Sequence, residues 1–444
     1  MYLQFARFIL PLSITIVAFS FSGQVINSGL ARSPRAVESL AGFALAWGII
    51  EVFVAAIYPF RQVSLVLAED GVALRKIYQF VIAVGLLAAA IVSALVFTPA
   101  GPWVLEDLHG ADAGLSAVVT YALVWMIPIP LLDGLIRTWS GVLMRQRRTE
   151  IVSAASLAEI CAMVIVVPVL LPTDLVQDQP IRLAIVAIYA GIAANSAILL
   201  WGYLTVARPA LLAATGTGGG ATITVSYLWR FFWPLSLTIA VQGASRPLIN
   251  LFVSRSPGGQ EALAVLAVVY TLTYLPYGWL NDLRAVVAAF SSAAGNVRDQ
   301  LRRFAIGCCG LSLTINIILF WTPLRETILI DLIALEPTLV KLCREPLLLF
   351  SAIPLAVTVR AYFQGIALFE RRTRALAPSG PCRIAIIFVV LMLVPATAMA
   401  GASRGMLALA AGFFLEAAVA WWFVRRGSKA ESPIIPIAQA RSVT

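Results

Sequence analysis

The chain consists of two hydrophobic halves that share one sequence pattern. Residues near its start recur in the same order and at the same spacing near its middle, the matched positions being Arg7 and Arg230, Pro11 and Pro234, Ser13 and Ser236, Thr15 and Thr238, Asn27 and Asn250, and Arg32-Ser33-Pro34 and Arg255-Ser256-Pro257. At the same spacing Arg61 matches Arg284, and Arg137 matches Arg360. Repeated hydrophobic halves are typical of secondary transporters, which bind their substrate where the repeats meet.

The composition is that of a membrane protein. Apolar residues make up 60% of the 444-residue chain and charged residues only 12%, a balance that no soluble domain of this length needs. Segments long enough to cross a ~30 Å hydrocarbon core as helices cover residues 8–30, 40–66, 76–97, 116–143, 151–171, 183–206, 231–253, 262–290, 304–322, 346–368, 380–399 and 405–424. This pattern predicts an all-α polytopic protein with about twelve transmembrane helices in two parallel six-helix bundles.

The loops indicate domain boundaries and orientation. We predict an N-terminal bundle over residues 1–210, a Gly- and Thr-rich cytoplasmic linker over 211–227, a C-terminal bundle over 228–426 and a polar cytoplasmic tail over 427–444. Arginines concentrate in alternate loops, whereas the intervening loops are acidic or mixed. This positive-inside pattern places both termini in the cytoplasm and the protein in the cytoplasmic (inner) membrane.

Residue usage argues against several classes of function. His109 is the only histidine, and the five cysteines form no C-x-x-C pair, so we expect no metal site, no cofactor and no enzymatic activity. The formal charge of +10 reflects basic loops and not a nucleic-acid surface. We expect membrane lipids and a small polyanionic substrate as partners, and a monomer.

Arg246 is the strongest single indication of a binding site. It lies near the middle of the seventh apolar segment, where an arginine costs about 2.5–3.5 kcal/mol to insert. Positions 242, 246 and 250 share one helix face, which we expect to contact a ligand unless a glutamate or backbone carbonyls satisfy the arginine. The deep part of the predicted site consists of Arg246, Gln242, Ser245 and Asn250, with Gln24 and Asn27 of the first segment.

A second set of arginines lies one to two helical turns inside the cytoplasmic ends of spans two, four, eight and ten. Its members are Arg61, Arg137, Arg284 and Arg360. Guanidinium groups in one layer suit an anion, because each offers five N–H donors in a planar fork. Arginines at such positions also extend to lipid headgroups, and Asp133 is placed to pair with Arg137 four residues later.

Acidic residues also occur inside the apolar segments. They are Glu51, Asp133, Glu159 and Glu416, and Asp282 lies just before Arg284. Each is a candidate either for binding a coupling Na⁺ or H⁺ or for neutralising an arginine, and no cluster among them identifies a cation site.

Several long stretches resemble the progressive ankylosis (ANK) protein family, and the composition suggests a bacterial member. The matching text is RFILPLSITIVAFSFSGQVINSGLAR at 7–32, WPLSLTIAVQGASRPLINLFVSR at 233–255, LPYGWLNDLRAV at 275–286 and LLLFSAIPLAVTVRAYFQG at 347–365. The resemblance places the chain in the multidrug/oligosaccharidyl-lipid/polysaccharide exporter superfamily. It implies two six-helix bundles around a central cavity and export of inorganic pyrophosphate, ATP or citrate.

We therefore predict a secondary transporter that exports small polyanions by alternating access. One alternative is a flippase for a lipid-linked phosphate sugar, which needs a lateral groove for its lipid tail. Another is cation-coupled multidrug efflux, which predicts an acidic cavity. A receptor or scaffold role leaves the polar face inside the membrane without a purpose.

Overall fold

A computed structural model describes residues 1–108, 112–214, 223–254, 256, 258–291, 295–332, 337–395 and 399–427. Throughout these ranges the ordered elements are helices, and none is a strand, which confirms the all-α prediction. His109, residues 215–222 of the predicted linker and the predicted tail beyond Gly427 lie outside the described residues.

The chain divides into two compact units, one formed by Ala6–Phe232 and the other by Met1–Phe5 with Trp233–Thr444. The helices up to the linker are α1 Tyr2–Ala31, α2 Ala36–Ile57, α3 Phe60–Leu67, α4 Gly71–Phe97, α5 Ala100–Pro102, α6 Ala113–Met126, α7 Ile129–Arg145, α8 Thr149–Leu170, α9 Asp174–Asp178, α10 Ile181–Gly202 and α11 Arg208–Ala214. Trp103–Leu108 and Tyr203–Ala207 are π-helical. We call Ala6–Phe232 the N-terminal unit and the other the C-terminal unit.

After the linker the helices are α12 Val225–Ser254, α13 Gly259–Tyr277, α14 Leu283–Phe290, α15 Gly295–Phe320, α16 Leu324–Thr327, α17 Pro337–Leu349, α18 Ile353–Phe369, α19 Ser379–Leu393 and α20 Gly401–Gly427. Short 3-10 turns occupy Gly278–Asp282, Phe350–Ala352 and Thr373–Leu376, and Ile328–Leu332 is π-helical. Each of the predicted apolar segments corresponds to one of these helices or to a helix pair.

Among the described residues, 9 helical stretches are long and apolar enough to cross a membrane, and α6 with α7, bent by 41°, makes a tenth. The 30-residue helix α12 is not among them. In α12 the reason is visible in the sequence, since Gln242, Arg246 and Asn250 lower the hydropathy of its middle. A helix that is polar at this depth needs polar surroundings inside the protein.

Several of the described spans are interrupted, and an arginine follows each of three such breaks in particular. Tyr58 and Pro59 separate α2 from α3, Ile127 and Pro128 separate α6 from α7, and a 3-10 turn separates α13 from α14. Proline lacks an N–H group and obstructs the preceding turn, so it breaks the helix at these points. Arg61, Arg137 and Arg284 lie on the segments that follow, α3, α7 and α14.

Glycines let these broken spans pack tightly. A Cβ atom added to Gly365 of α18 would lie 2.8 Å from the carbonyl oxygen of Arg284 and 2.5 Å from Cβ of Val287, both on α14. In the N-terminal unit, a Cβ on Gly141 of α7 would clash with the carbonyl oxygen of Arg61 on α3. The backbone segments that carry the arginines are thus held against α7 and α18 at close range.

Candidate functional site

The C-terminal unit contains a buried cluster of two arginines and one glutamate, which we call the triad. Arg360 of α18 and Arg383 of α19 both contact Oε2 of Glu416 on α20, at 3.0 and 2.8 Å. The three residues are only 4%, 4% and 0% exposed. Helices α18 and α19 both pack against α20, which brings the three side chains together.

Neighbouring side chains complete the hydrogen bonds of the triad. Gln242 of α12 donates its amide N–H to Oε1 of Glu416 at 2.6 Å. The Ser245 hydroxyl accepts from Nε of Arg383 at 3.0 Å and donates to the carbonyl of Val241. Asn281, in the 3-10 turn between α13 and α14, accepts from Nη2 of Arg360 through its side-chain oxygen.

An aromatic ring lies beside both guanidinium groups. Cζ of Arg383 is 4.1 Å and Cζ of Arg360 is 5.2 Å from the centroid of Phe413 on α20. The negative face of a ring attracts a cation, so Phe413 lowers the cost of burying two positive charges side by side.

The triad still carries one net positive charge, since two guanidiniums share one carboxylate. Nε of Arg360 is also buried and has no hydrogen-bond partner within the described part of the chain. Buried charges are normally paired, and leaving one unpaired costs several kcal/mol, about 3–5 when a partner is removed. The cluster is therefore poised to accept a further negative group.

Arg246 lies on α12 next to Ser245, but its side chain is exposed and separate from the triad. Its Cζ sits 4.9 Å from the ring centroid of Tyr270 on α13. The Tyr270 hydroxyl donates to Oδ1 of Asn250 at 3.5 Å. Thus Gln242, Arg246 and Asn250 share one face of α12, as predicted. Gln242 donates a hydrogen bond to the triad, whereas Arg246 and Asn250 contact Tyr270.

The remaining predicted residues of α1, α3, α13 and α14 are not part of the triad. Arg61 and Arg284 are half-buried, Asp282 is buried, and Asn27 is exposed. The side chain of Gln24 lies outside the described residues. Because Arg61 and Arg137 belong to one unit and Arg284 and Arg360 to the other, a common layer of four arginines stays a prediction.

The N-terminal unit holds a second polar cluster of opposite character. Asp133 accepts from Nε of Arg137 at 3.0 Å, as the spacing predicted, and the guanidinium lies 4.3 Å from the ring centroid of Tyr58. The Tyr58 hydroxyl donates to Glu51 at 2.8 Å. Glu159 and Asn195, at 2.6 Å from each other, lie in electrostatic range of the same arginine.

The acidic residues have two kinds of partner in the structure, and a role in binding a coupling ion stays a prediction. Asp133 and Glu416 neutralise arginines, whereas Glu51 and Glu159 accept from a hydroxyl and an amide. The described residues contain no group of three or more His, Cys, Asp or Glu placed to hold a metal ion.

Sequence reasoning missed Arg383. It lies near the start of a strongly apolar segment, where an arginine can extend to lipid headgroups. It has no basic match in the first half, because the position equivalent to it in the repeat is Ile160. Neither its depth nor the repeat therefore distinguishes it in the sequence, and only the packing of α19 against α20 shows its contact with Glu416.

Comparison with known proteins agrees with this architecture. The family described as progressive ankylosis protein (ANKH) matches residues 1–322. Solved structures with the same fold include a mutant of the MATE transporter VcmN of Vibrio cholerae, with TM-score 0.74, 13% identity and 97% of each chain covered. A MOP superfamily transporter from Pyrococcus furiosus has TM-score 0.67, 15% identity and 96% of each chain covered.

A eukaryotic MATE transporter, AtDTX14, has TM-score 0.68 and 14% identity over 97% of this chain and 95% of its own. Identities this low establish the fold, and they leave the substrate to be argued from the residues of this chain.

Proposed function

Because the chain belongs to the progressive ankylosis protein family and has the fold of the MATE transporters, we propose that this multi-pass membrane transporter exports small polyanions. Inorganic pyrophosphate, citrate and ATP, the substrates implied by the family resemblance, are the first candidates. The proposal places the protein in the cytoplasmic membrane as a monomer, with both termini in the cytoplasm, as the arginine-rich alternate loops favour.

The observation that carries the proposal is the excess of positive charge inside the C-terminal unit. Two buried guanidiniums share one carboxylate, and the exposed guanidinium of Arg246 lies one residue from Ser245, a partner of the triad. Guanidinium groups bind carboxylates and phosphates through paired N–H donors. A cavity wall with this charge favours anions and disfavours cations.

Membrane potential supplies the driving force in this proposal. Each elementary charge that crosses a membrane gains about 2.3 kcal/mol per 100 mV. A trivalent anion that leaves an inside-negative cell therefore gains about 7 kcal/mol at 100 mV, and no ATP-binding domain is needed. The two repeats would expose the site alternately to the cytoplasm and to the outside.

The test is efflux from proteoliposomes loaded in turn with labelled citrate, pyrophosphate and ATP. We expect efflux of at least one anion, accelerated by an inside-negative potential, and a loss of about tenfold or more in Arg246→Gln if the guanidinium contacts the anion. Arg303→Gln is the matched control, because Arg303 is an exposed arginine on α15. An efflux rate that changes neither with the membrane potential nor on substitution of Arg246 would contradict the proposal.

Cation-coupled multidrug efflux is the second candidate, and the acidic cluster of the N-terminal unit favours it. Asp133 contacts Arg137 directly, and Glu51 and Glu159 lie within electrostatic range of the same guanidinium. Acidic groups at this depth are typical of proton- or sodium-coupled transport of cations.

The two candidates differ in the charge of the cargo. Tetraphenylphosphonium, a lipophilic cation, loaded into the same proteoliposomes distinguishes them. Efflux of this cation driven by an inward proton or sodium gradient, without efflux of any of the three anions, would select multidrug transport.

A further inference from the structure

We infer that Arg360 and Arg383 form a second anion subsite, in which Glu416 is an internal counter-anion that an acidic group of the substrate replaces during transport. This inference rests on the proposed function and deepens it. It assigns an anion-binding role to Arg383 and an exchangeable one to Glu416, which the sequence predicted only as a charge partner or ion ligand.

The geometry around Glu416 resembles that of a bound carboxylate ligand. Both guanidiniums donate to one oxygen, Oε2, and Gln242 donates to the other. The acceptor group of a substrate carboxylate or phosphate has the same shape and sign, so it competes for the same three donors. The donors come from α12, α18 and α19, whereas the carboxylate comes from α20.

Unused donor capacity indicates that the subsite accepts more than Glu416. Nε of Arg360 is buried and has no partner among the residues that the structure describes. The hydroxyl oxygen of Thr358, on the same helix, is buried without a partner as well. Buried donors in native proteins are nearly always satisfied, and an anionic oxygen next to Arg360 would satisfy this one.

Two residues that contact the subsite also belong to segments near the exposed Arg246 and the broken span. Ser245, which accepts from Arg383, precedes the exposed Arg246 on α12. Asn281, which accepts from Arg360, belongs to the 3-10 turn that breaks the span between α13 and α14. Arg246 is thus adjacent along α12 to a hydrogen-bond partner of Arg383, and a change in the broken span alters the contacts of Arg360.

Exchange between the substrate and Glu416 gives a physical reason for release of the substrate. A substrate group that occupies the subsite leaves Glu416 without its cationic partners, and the returning carboxylate expels the substrate again by competition. A site with two guanidiniums and no internal carboxylate would bind a polyanion tightly and release it slowly.

Equilibrium binding of labelled citrate and pyrophosphate to the purified full-length protein tests this inference through a charge series. Wild type has a triad charge of +1, Glu416→Gln +2, Arg383→Gln zero, and the double variant Arg383→Gln/Glu416→Gln again +1. We expect the affinity to follow that charge, with about a tenfold change or more per unit charge, because Coulomb energies at short range are several kcal/mol. Glu416→Gln should also release the anion more slowly in counterflow.

A purely structural role for the triad predicts a different result. In that case every single variant lowers the thermal stability, and Glu416→Gln weakens binding or leaves it unchanged, which would overturn the inference. The double variant keeps the test decisive if Glu416→Gln does not fold, because its affinity must then match wild type and exceed that of Arg383→Gln. If wild type exports none of citrate, pyrophosphate and ATP, the proposed function itself fails. If export depends on Arg246 but the affinities of the variants do not follow the charge of the triad, only this inference is refuted.

Discussion

Gly365→Ala tests the packing that holds Arg284 and Arg360 in place. The added Cβ would lie 2.5 Å from Cβ and 2.9 Å from Cγ1 of Val287, and 2.8 Å from the carbonyl oxygen of Arg284. The last atom belongs to the backbone and cannot rotate away, so α14 must move from α18. Overpacking of this kind costs about 1–3 kcal/mol.

The same substitution at Gly310 is the matched control. Gly310 lies inside α15, and a Cβ added there meets nothing within 4 Å. Alanine is favoured over glycine in a helix by about 0.5–1 kcal/mol, and this gain applies to both variants. The difference between their free energies of unfolding therefore isolates the steric cost, which we expect to be about 1–3 kcal/mol.

Denaturant titration of the purified variants in detergent micelles measures both free energies, and citrate binding reports on the site. We expect Gly310→Ala to be at least as stable as wild type and to bind citrate normally. Gly365→Ala should be less stable and bind more weakly, because Arg284 and Arg360 lie on the two helices that are forced apart. If the two variants have equal free energies of unfolding, the inference that α14 and α18 approach too closely for a Cβ at position 365 is wrong.

Three further predictions concern individual contacts. Asp133→Asn removes the partner of Arg137, and since both side chains are mostly buried we expect a loss of about 2–3 kcal/mol in unfolding free energy, which the double variant Asp133→Asn/Arg137→Gln largely restores. Ser245→Ala removes the acceptor for Nε of Arg383 and should cost about 1–3 kcal/mol by the same titration, without changing the charge of the triad. Tyr270→Leu removes the ring beside Arg246 and should weaken citrate binding by about 0.5–1 kcal/mol. Tyr270→Phe keeps the ring and should bind citrate within twofold of wild type. Equal effects of the two substitutions on citrate affinity would exclude a contribution of the ring.

The helical architecture was readable from the sequence because a membrane imposes a strong rule. A chain in hydrocarbon satisfies its backbone by forming helices, so the apolar segments alone located the spans to within a few residues. The predicted segment 116–143, for example, corresponds to α6 and α7, which end at Arg145. Proline alone does not locate the breaks, since Pro59 and Pro128 interrupt their spans whereas Pro234 and Pro247 lie inside the continuous helix α12.

The site was only partly readable, because pairing between helices leaves little trace in a sequence. The pair of Asp133 and Arg137 follows from spacing within one helix turn. The contact of Arg360 with Glu416 joins residues 56 positions apart, and only the packing of α18 against α20 reveals it. Gln242 and Ser245 were predicted to face a ligand, and the structure shows both as hydrogen-bond partners of the triad, so their contact with a ligand stays a prediction.

The two units distribute charge in opposite ways, and this difference bears on how a transporter of this fold works. By the spacing of the repeat, Glu159 on α8 matches Cys382, the neighbour of Arg383 on α19. Glu159 contacts Asn195 on α10, whereas Arg383 contacts Glu416 on α20. Corresponding helix pairs thus present a carboxylate in one unit and a guanidinium in the other.

Two halves that arose by repetition begin with the same residues at matched positions. Opposite charges at matched helices therefore indicate that the two units have come to bind different groups. We expect the C-terminal unit to stabilise an anion and the carboxylates around Arg137 to stabilise a proton or cation. The two tasks are therefore separable by mutation. We expect Glu159→Gln to change the dependence of citrate efflux on external pH or sodium while citrate affinity stays within about twofold of wild type, whereas Arg383→Gln weakens affinity about tenfold or more and preserves that dependence. Equal effects of both variants on affinity would mean that the two clusters serve one site, and the division of tasks between the units would be wrong.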